Sequence, residues 1–250
     1  MKLRSVLFSS VFGLGLALTA GQASAVVVAG SSGGTFSNLN NCDNSGSSQD
    51  CRIINTGNGN STQAQWGSTS SSQNFQNPST LTSVDTSFNT NTNANDVKIA
   101  RLDWFNNATN SNQTPDNFSF SWTLTISFTS PNASNDTELF TLTVTNPENP
   151  PGDNMSGFTM TDLSNLTFNL NGVTVSDLKY LVEDGMGTCS GTDTSINGTT
   201  WFNCEENTAS LYITADFTAV TQSVPEPATL AVLGAGLLGL GAVRRRRQVA

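Results

Sequence analysis

The chain has 250 residues, with ten basic side chains against nineteen acidic ones and no histidine. Without histidine it carries neither a Ser-His-Asp nor a Cys-His nucleophile, nor the ligand set of the common zinc hydrolases. Its acidic balance repels phosphate backbones, which excludes nucleic acid as a partner.

The first 25 residues read as a disposable export signal. Lys2 and Arg4 precede an uncharged apolar stretch over 6–19, and Ala23-Ser24-Ala25 supplies the small-x-small pattern, with Ala23 and Ala25 as the cleavage determinants for signal peptidase. Cleavage after Ala25 leaves a body of residues 26–223. That body keeps four of the basic and eighteen of the acidic residues, a net charge of −14. Such a charge favours solubility and attracts cations. About 200 residues suit one all-β domain with a sizeable core.

Short strands are expected at 35–39, 52–54 and 63–66, with loops at 57–60 and 68–73. All four cysteines lie in the body, as suits export to an oxidising compartment. Cys42 with Cys51 and Cys189 with Cys204 are the nearest pairs, although four cysteines allow three connectivities. Residues 97–106 place Ala100, Leu102 and Trp104 on one face and Val97 and Ile99 on the other, a strand covered on both sides over part of its length.

Residues 118–129 alternate apolar and small polar side chains without a break, the signature of an antiparallel strand with one buried face. Residues 139–145 repeat the pattern, and turn chemistry at 131–136 between them predicts a hairpin. The Pro-rich stretch 147–154 reads as a loop. Further strands are expected at 166–170, 173–175 after Asn171-Gly172, 178–182 and 211–217. No segment between the two terminal signals has helical periodicity. The fold class is therefore all-β, an antiparallel β-sandwich of jelly-roll or Greek-key type, with a signal helix before it and a short transmembrane helix after it.

The tail, residues 224–250, begins Val224-Pro225-Glu226-Pro227. An apolar run follows over 228–243, then Arg244, Arg245, Arg246 and Arg247. As a helix its 16 residues would measure roughly 24 Å against a hydrocarbon core of about 30 Å. Four glycines weaken it further. It can enter a bilayer transiently, with its arginines held at the cytoplasmic side. The tail resembles the PEP-CTERM sorting signal of Gram-negative bacterial surface proteins. That resemblance implies processing near Pro225-Glu226-Pro227 by an exosortase-type membrane protease, display at the cell surface or secretion, and extracellular polysaccharide as a candidate partner. Tails of this kind also occur on ice-binding proteins.

The body also resembles the choice-of-anchor K domain. The landmarks are Trp66-Gly67, Ser79-x-Leu81, residues 100–106, the long alternating strand ending at Phe128-Thr129-Ser130-Pro131, residues 142–149 and 168–175, and Ala209-Ser210-Leu211-Tyr212. The resemblance implies a surface β-sandwich and transfers no catalytic residue.

What chemistry remains is carboxylate and surface chemistry. Glu183-Asp184 and Glu205-Glu206 are the acidic doublets, and a glycosidase would need two carboxyls facing one cleft. Adjacent residues of a strand point to opposite faces, so each doublet offers one carboxyl at most. Asp43, Asn44, Ser45 and Asp50 cluster oxygens as calcium sites do, at no defined spacing. Trp66 and Trp201 are candidates for stacking on sugar rings, whereas Trp104 reads as core. Thr123, Thr125, Thr129, Thr141, Thr143 and Thr145 share the outward face of the hairpin, a surface suited to glycan or ordered water.

These features point to a non-enzymatic exported surface or matrix protein that needs no cofactor and no metal. A carbohydrate- or ice-binding module is the alternative, and a glycosidase using Glu183 and Glu205 the third reading.

Overall fold

The computed structural model describes residues 25–42, 51–55, 62–70, 75–109, 117–145, 152–184 and 195–220, together with 233–234 and 236–237. In chain order the elements are β1 (Val27–Asn40), β2 (Cys51–Asn55), β3 (Thr62–Trp66), β4 (Ser79–Val84), β5 (Thr86–Asn91), β6 (Ala94–Asn106), β7 (Asn117–Ser130), β8 (Ser134–Thr145), β9 (Gly152–Ser156), α1 (Met160–Asn165), β10 (Val173–Asp184), β11 (Ser195–Asn197), β12 (Thr200–Cys204) and β13 (Asn207–Ala219). They form two antiparallel sheets. Seven strands run in the order β11-β12-β9-β8-β7-β1-β5, and six in the order β10-β13-β6-β4-β3-β2.

The alternation in 118–129 does what its period requires. Phe118, Phe120, Trp122, Leu124, Ile126 and Phe128 of β7 are all buried, while the intervening positions face outward. From the six-stranded sheet, Trp66, Leu81, Leu102, Trp104, Leu211, Ile213 and Phe217 join them in one core. Aromatic rings carry the contact between sheets. Trp66 meets Phe118 at 5.4 Å, Trp104 meets Trp201 at 5.2 Å, and Phe128 meets Phe217 at 6.0 Å between centroids. Offset and edge-on pairs of this kind each add about 1 kcal/mol to the burial of their area.

Several expectations are corrected. The short strand expected at 35–39 is the end of a longer one: β1 begins at Val27 and runs through Ser31-Ser32-Gly33-Gly34. Its inward glycines serve close packing: a Cβ at Gly34 would collide with Trp122 Nε1 and Ser83 Oγ, and one at Gly30 with the Ser127 carbonyl and the Phe88 ring. β4 and β5 fill residues 79–91, β12 fills 200–204, and β9 occupies the end of the expected 147–154 loop. The hairpin turn is shorter than 131–136, because β8 already starts at Ser134.

In β6, Ile99 and Ala100 are both fully buried. Two-sided cover is not the reason. Ala100 pairs with Ile213 and Lys98 with Thr214, which leaves Ile99 as an extra residue in a bulge, and the bulge resets which face points inward. The expected strands 173–175 and 178–182 are one element, β10, broken by a similar shift between Ser176 and Lys179.

The strand expected at 166–170 is not one. Leu166 and Leu170 do face the core, yet the amides beside them bond to side chains instead of a neighbouring backbone. Thr167 N donates to Asp136 Oδ2 at 2.7 Å, Asn169 N to Ser134 Oγ at 3.2 Å, and Asn171 N to Asn132 Oδ1 at 2.7 Å. Before this segment stands a helix that the periodicity did not predict. α1 is a six-residue helix whose N-cap Thr159 accepts from Asp162 N and donates to its carboxylate, at 3.1 and 2.6 Å. The signal helix lies outside the described residues. The described residues of the tail are two helical pairs, and among the described residues no helix is long and apolar enough to cross a membrane.

Candidate functional site

The outer face of the seven-stranded sheet is a lattice of small hydroxyl residues. Antiparallel register places Ser87 beside Ser31, Ser31 beside Ser127, and Ser127 beside Asn135 across β5, β1, β7 and β8. One step along, Gly33 stands beside Thr125 and Thr125 beside Thr137, with the two threonine hydroxyls 3.0 Å apart. All six threonines expected on the hairpin face are exposed or half-buried. Leu139, 54 % exposed and paired with Thr123, interrupts the row.

Where β5 ends, β1 and β7 line a groove of ≈ 580 Å³, with Asp85 at its edge and Thr123, Thr125 and Ser127 along one side. Gly33 lets Asp85 lean over β1, since a Cβ there would lie 2.8 Å from Asp85 Oδ1. The sequence reading found the β7 and β8 half of this face. It missed the β1 and β5 half, because Gly33-Gly34 masks a Ser31, Gly33, Thr35 alternation that was there to be read.

A second cluster lies inside the fold. Asp153 of β9 is fully buried opposite Asn203 of β12, and Glu205 stands two residues further along the same strand direction. Burial pushes the Asp153 carboxyl up to about 8, and the nearby charge of Glu205 adds to the shift. The Trp66 indole favours the ionised form of Asp153 but falls outside good hydrogen-bond geometry. Burial, then the charge of Glu206, pushes Glu205 up to about 7, and neither Glu205 oxygen has a partner among the described residues. The amides around the pair satisfy one another: Asn203 Nδ2 donates to the Trp104 carbonyl at 3.0 Å, and Asn207 Nδ2 to Asn203 Oδ1 at 3.0 Å.

Glu183 lies on β10, where Lys98 Nζ meets its carboxylate at 2.5 Å. The side chain of Asp184 lies outside the described residues. Asp153 was missed because the prolines before it read as loop.

The tryptophans offer no sugar platform. Trp66, Trp104 and Trp201 are all fully buried, which leaves Trp104 in the core as expected and removes Trp66 and Trp201 from the surface. A third acidic group joins Asp96, Asp177 and Asp216, whose oxygens lie within 4.8 Å of one another. Lys179 offsets part of its charge, with Nζ 2.5 Å from Asp96 and 2.9 Å from Asp177, and its own pKa is raised by those hydrogen bonds.

Cys42 and Cys51 form a disulfide, which ties the end of β1 to the start of β2. Cys204 is disulfide-bonded as well. Cys189 lies outside the described residues, as do Asp43, Asn44, Ser45 and Asp50, the cleavage determinant Ala23, and the sorting residues Val224, Pro225, Glu226, Pro227 and Arg244 to Arg247. Ala25 is the first residue described.

No curated protein matches the chain. Residues 223–247 match the PEP-CTERM protein-sorting motif. In this segment the chain is similar to exported proteins that an exosortase-type system processes, and the match supports export to the cell surface.

Proposed function

We propose that this protein is a non-enzymatic component of the cell surface or extracellular matrix, released from a transient membrane intermediate by an exosortase-type protease. Signal peptidase frees Val26, and the sorting protease cuts near Pro225-Glu226-Pro227. The match of residues 223–247 to the sorting motif carries this reading. The run of sixteen mostly apolar residues before Arg244 suits a short-lived span better than a permanent one. In the body, two antiparallel sheets with crossed strand order fit a jelly-roll or Greek-key β-sandwich. Its landmarks Trp66, Leu81, Trp104 and Leu211 all lie in the core, consistent with a choice-of-anchor K domain.

A non-enzymatic role accords with the chemistry present. The chain has no histidine, Glu183 is held in an ion pair, and Asp153 has no exposed surface from which to meet a substrate.

The test is to express the full chain in two bacterial hosts that differ only in possession of an exosortase-type protease, and to weigh the product. Loss of the residues after about position 227, only where the protease is present and abolished by Glu226→Ala, is the expected result. Equal masses in both hosts, with residues 228–250 retained, would reject the proposal.

A further inference from the structure

The groove beside Asp85 has two properties that a plain solvent-facing sheet lacks. It is concave, whereas a row of threonines on a flat strand pair is not. Its charged group is available: Asp85 is exposed and makes no ion pair or hydrogen bond among the described residues. The hydroxyls of Ser31, Thr123 and Ser127 have no hydrogen-bond partner among the described residues, so the lining presents unpaired donors and acceptors at close spacing.

We propose that this groove binds a neutral glycan chain. A carboxylate accepts hydrogen bonds from two neighbouring sugar hydroxyls, as Asp85 is placed to do, and serine and threonine hydroxyls both donate and accept, which matches a ligand whose hydroxyls do the same. Gly33 removes a side chain from the floor, so a ring can approach the backbone there. Charge selects against acidic polymers, because the body carries a net −14 and Asp85 sits at the groove itself. Recognition works through hydrogen bonds alone, since Trp66, Trp104, Trp122 and Trp201 are all buried. The concavity, and Leu139 interrupting the hydroxyl row, favour a single chain over the flat lattice of ice. The inference rests on the proposed function only in placing the protein where polysaccharide is found.

The experiment is affinity electrophoresis of the purified full chain through gels containing neutral α-glucan, β-glucan, mannan or galactan, with anionic alginate as the charge control. Retardation by at least one neutral glycan and none by alginate is expected. Asp85→Ala and the double variant Thr123→Val with Thr125→Val should each weaken binding at least tenfold, while Thr145→Val, outside the groove, binds as the parent does. Unchanged melting temperatures confirm that the variants fold. No retardation by any neutral glycan, parental binding by Asp85→Ala, or ice shaping in place of glycan binding would overturn the assignment. Each result is read on purified protein, so it stands apart from the outcome of the sorting test.

Discussion

The indole Nε1 of Trp122 donates a 3.1 Å hydrogen bond to Ser83 Oγ, joining β7 of one sheet to β4 of the other through the middle of the core. Gly34 of β1 lies against both atoms and leaves them room. Its glycine is set by this contact, because a methyl group there would occupy the space the bond needs. Gly34→Ala should therefore destabilise the protein by about 1–3 kcal/mol through overpacking. Ser83→Ala strands a buried N–H at a similar cost, about 1–3 kcal/mol. Urea denaturation midpoints measure both, and the double variant should cost less than the sum, because the two changes act on one contact.

The buried acids predict an unusual pH profile. Asp153 and Glu205 titrate near 8 and 7 in the folded chain, against about 4 when unfolded. The folded state then holds more protons than the unfolded state between those limits. Stability from this source is fully present below about pH 4 and is lost as pH rises towards 8, with a slope of up to about 1.4 kcal/mol per pH unit for each proton. Melting temperature followed from pH 4 to pH 9 should fall, and Asp153→Asn should flatten the fall and melt above the parent at pH 9. A profile that rises with pH and does not respond to Asp153→Asn would contradict the burial described.

Asp136 works in the opposite sense. Its carboxylate accepts from the backbone amide of Thr167, the chief cause of its lowered pKa, and also from Thr137 N at 2.8 Å. This contribution is present above the ordinary carboxylate range and is lost as pH falls through the depressed value. Asp136→Ala should cost about 1 kcal/mol, since these hydrogen bonds lie at an exposed site where water screens the charge. Hydrogen exchange should locate the loss, with the amide of Thr167 exchanging faster while the amides of β7 stay protected.

These relationships show how far local pattern reaches. In β7 the period of two was visible and complete, because one side chain in two is needed to fill the core. In 166–170 the same period was visible, and the side chains do point as it says. The backbone amides nevertheless bond to Asp136, Ser134 and Asn132, a choice that depends on residues more than thirty positions away. Ile99 shows the reverse: its place in β6 looked like cover on both faces and is a bulge set by the register against β13. For the candidate site, the threonine face was legible as alternation. Asp85 and Ser31 were not, because they join it only when β5 and β1 are laid beside β7.

The sequence by itself determined what is written as composition and local period: an acidic body free of histidine, alternating strands, and a tail whose apolar run and arginines mark it for sorting. Such properties survive in an unfolded chain, since each depends on neighbours a few residues apart. The tertiary structure alone decided which polar groups lose water. It sealed Trp66 and Trp201 inside, set Asp153 beside Glu205, and gave Asp85 a groove to face, because pairing strands distant in sequence decides which surfaces are covered and which stay open.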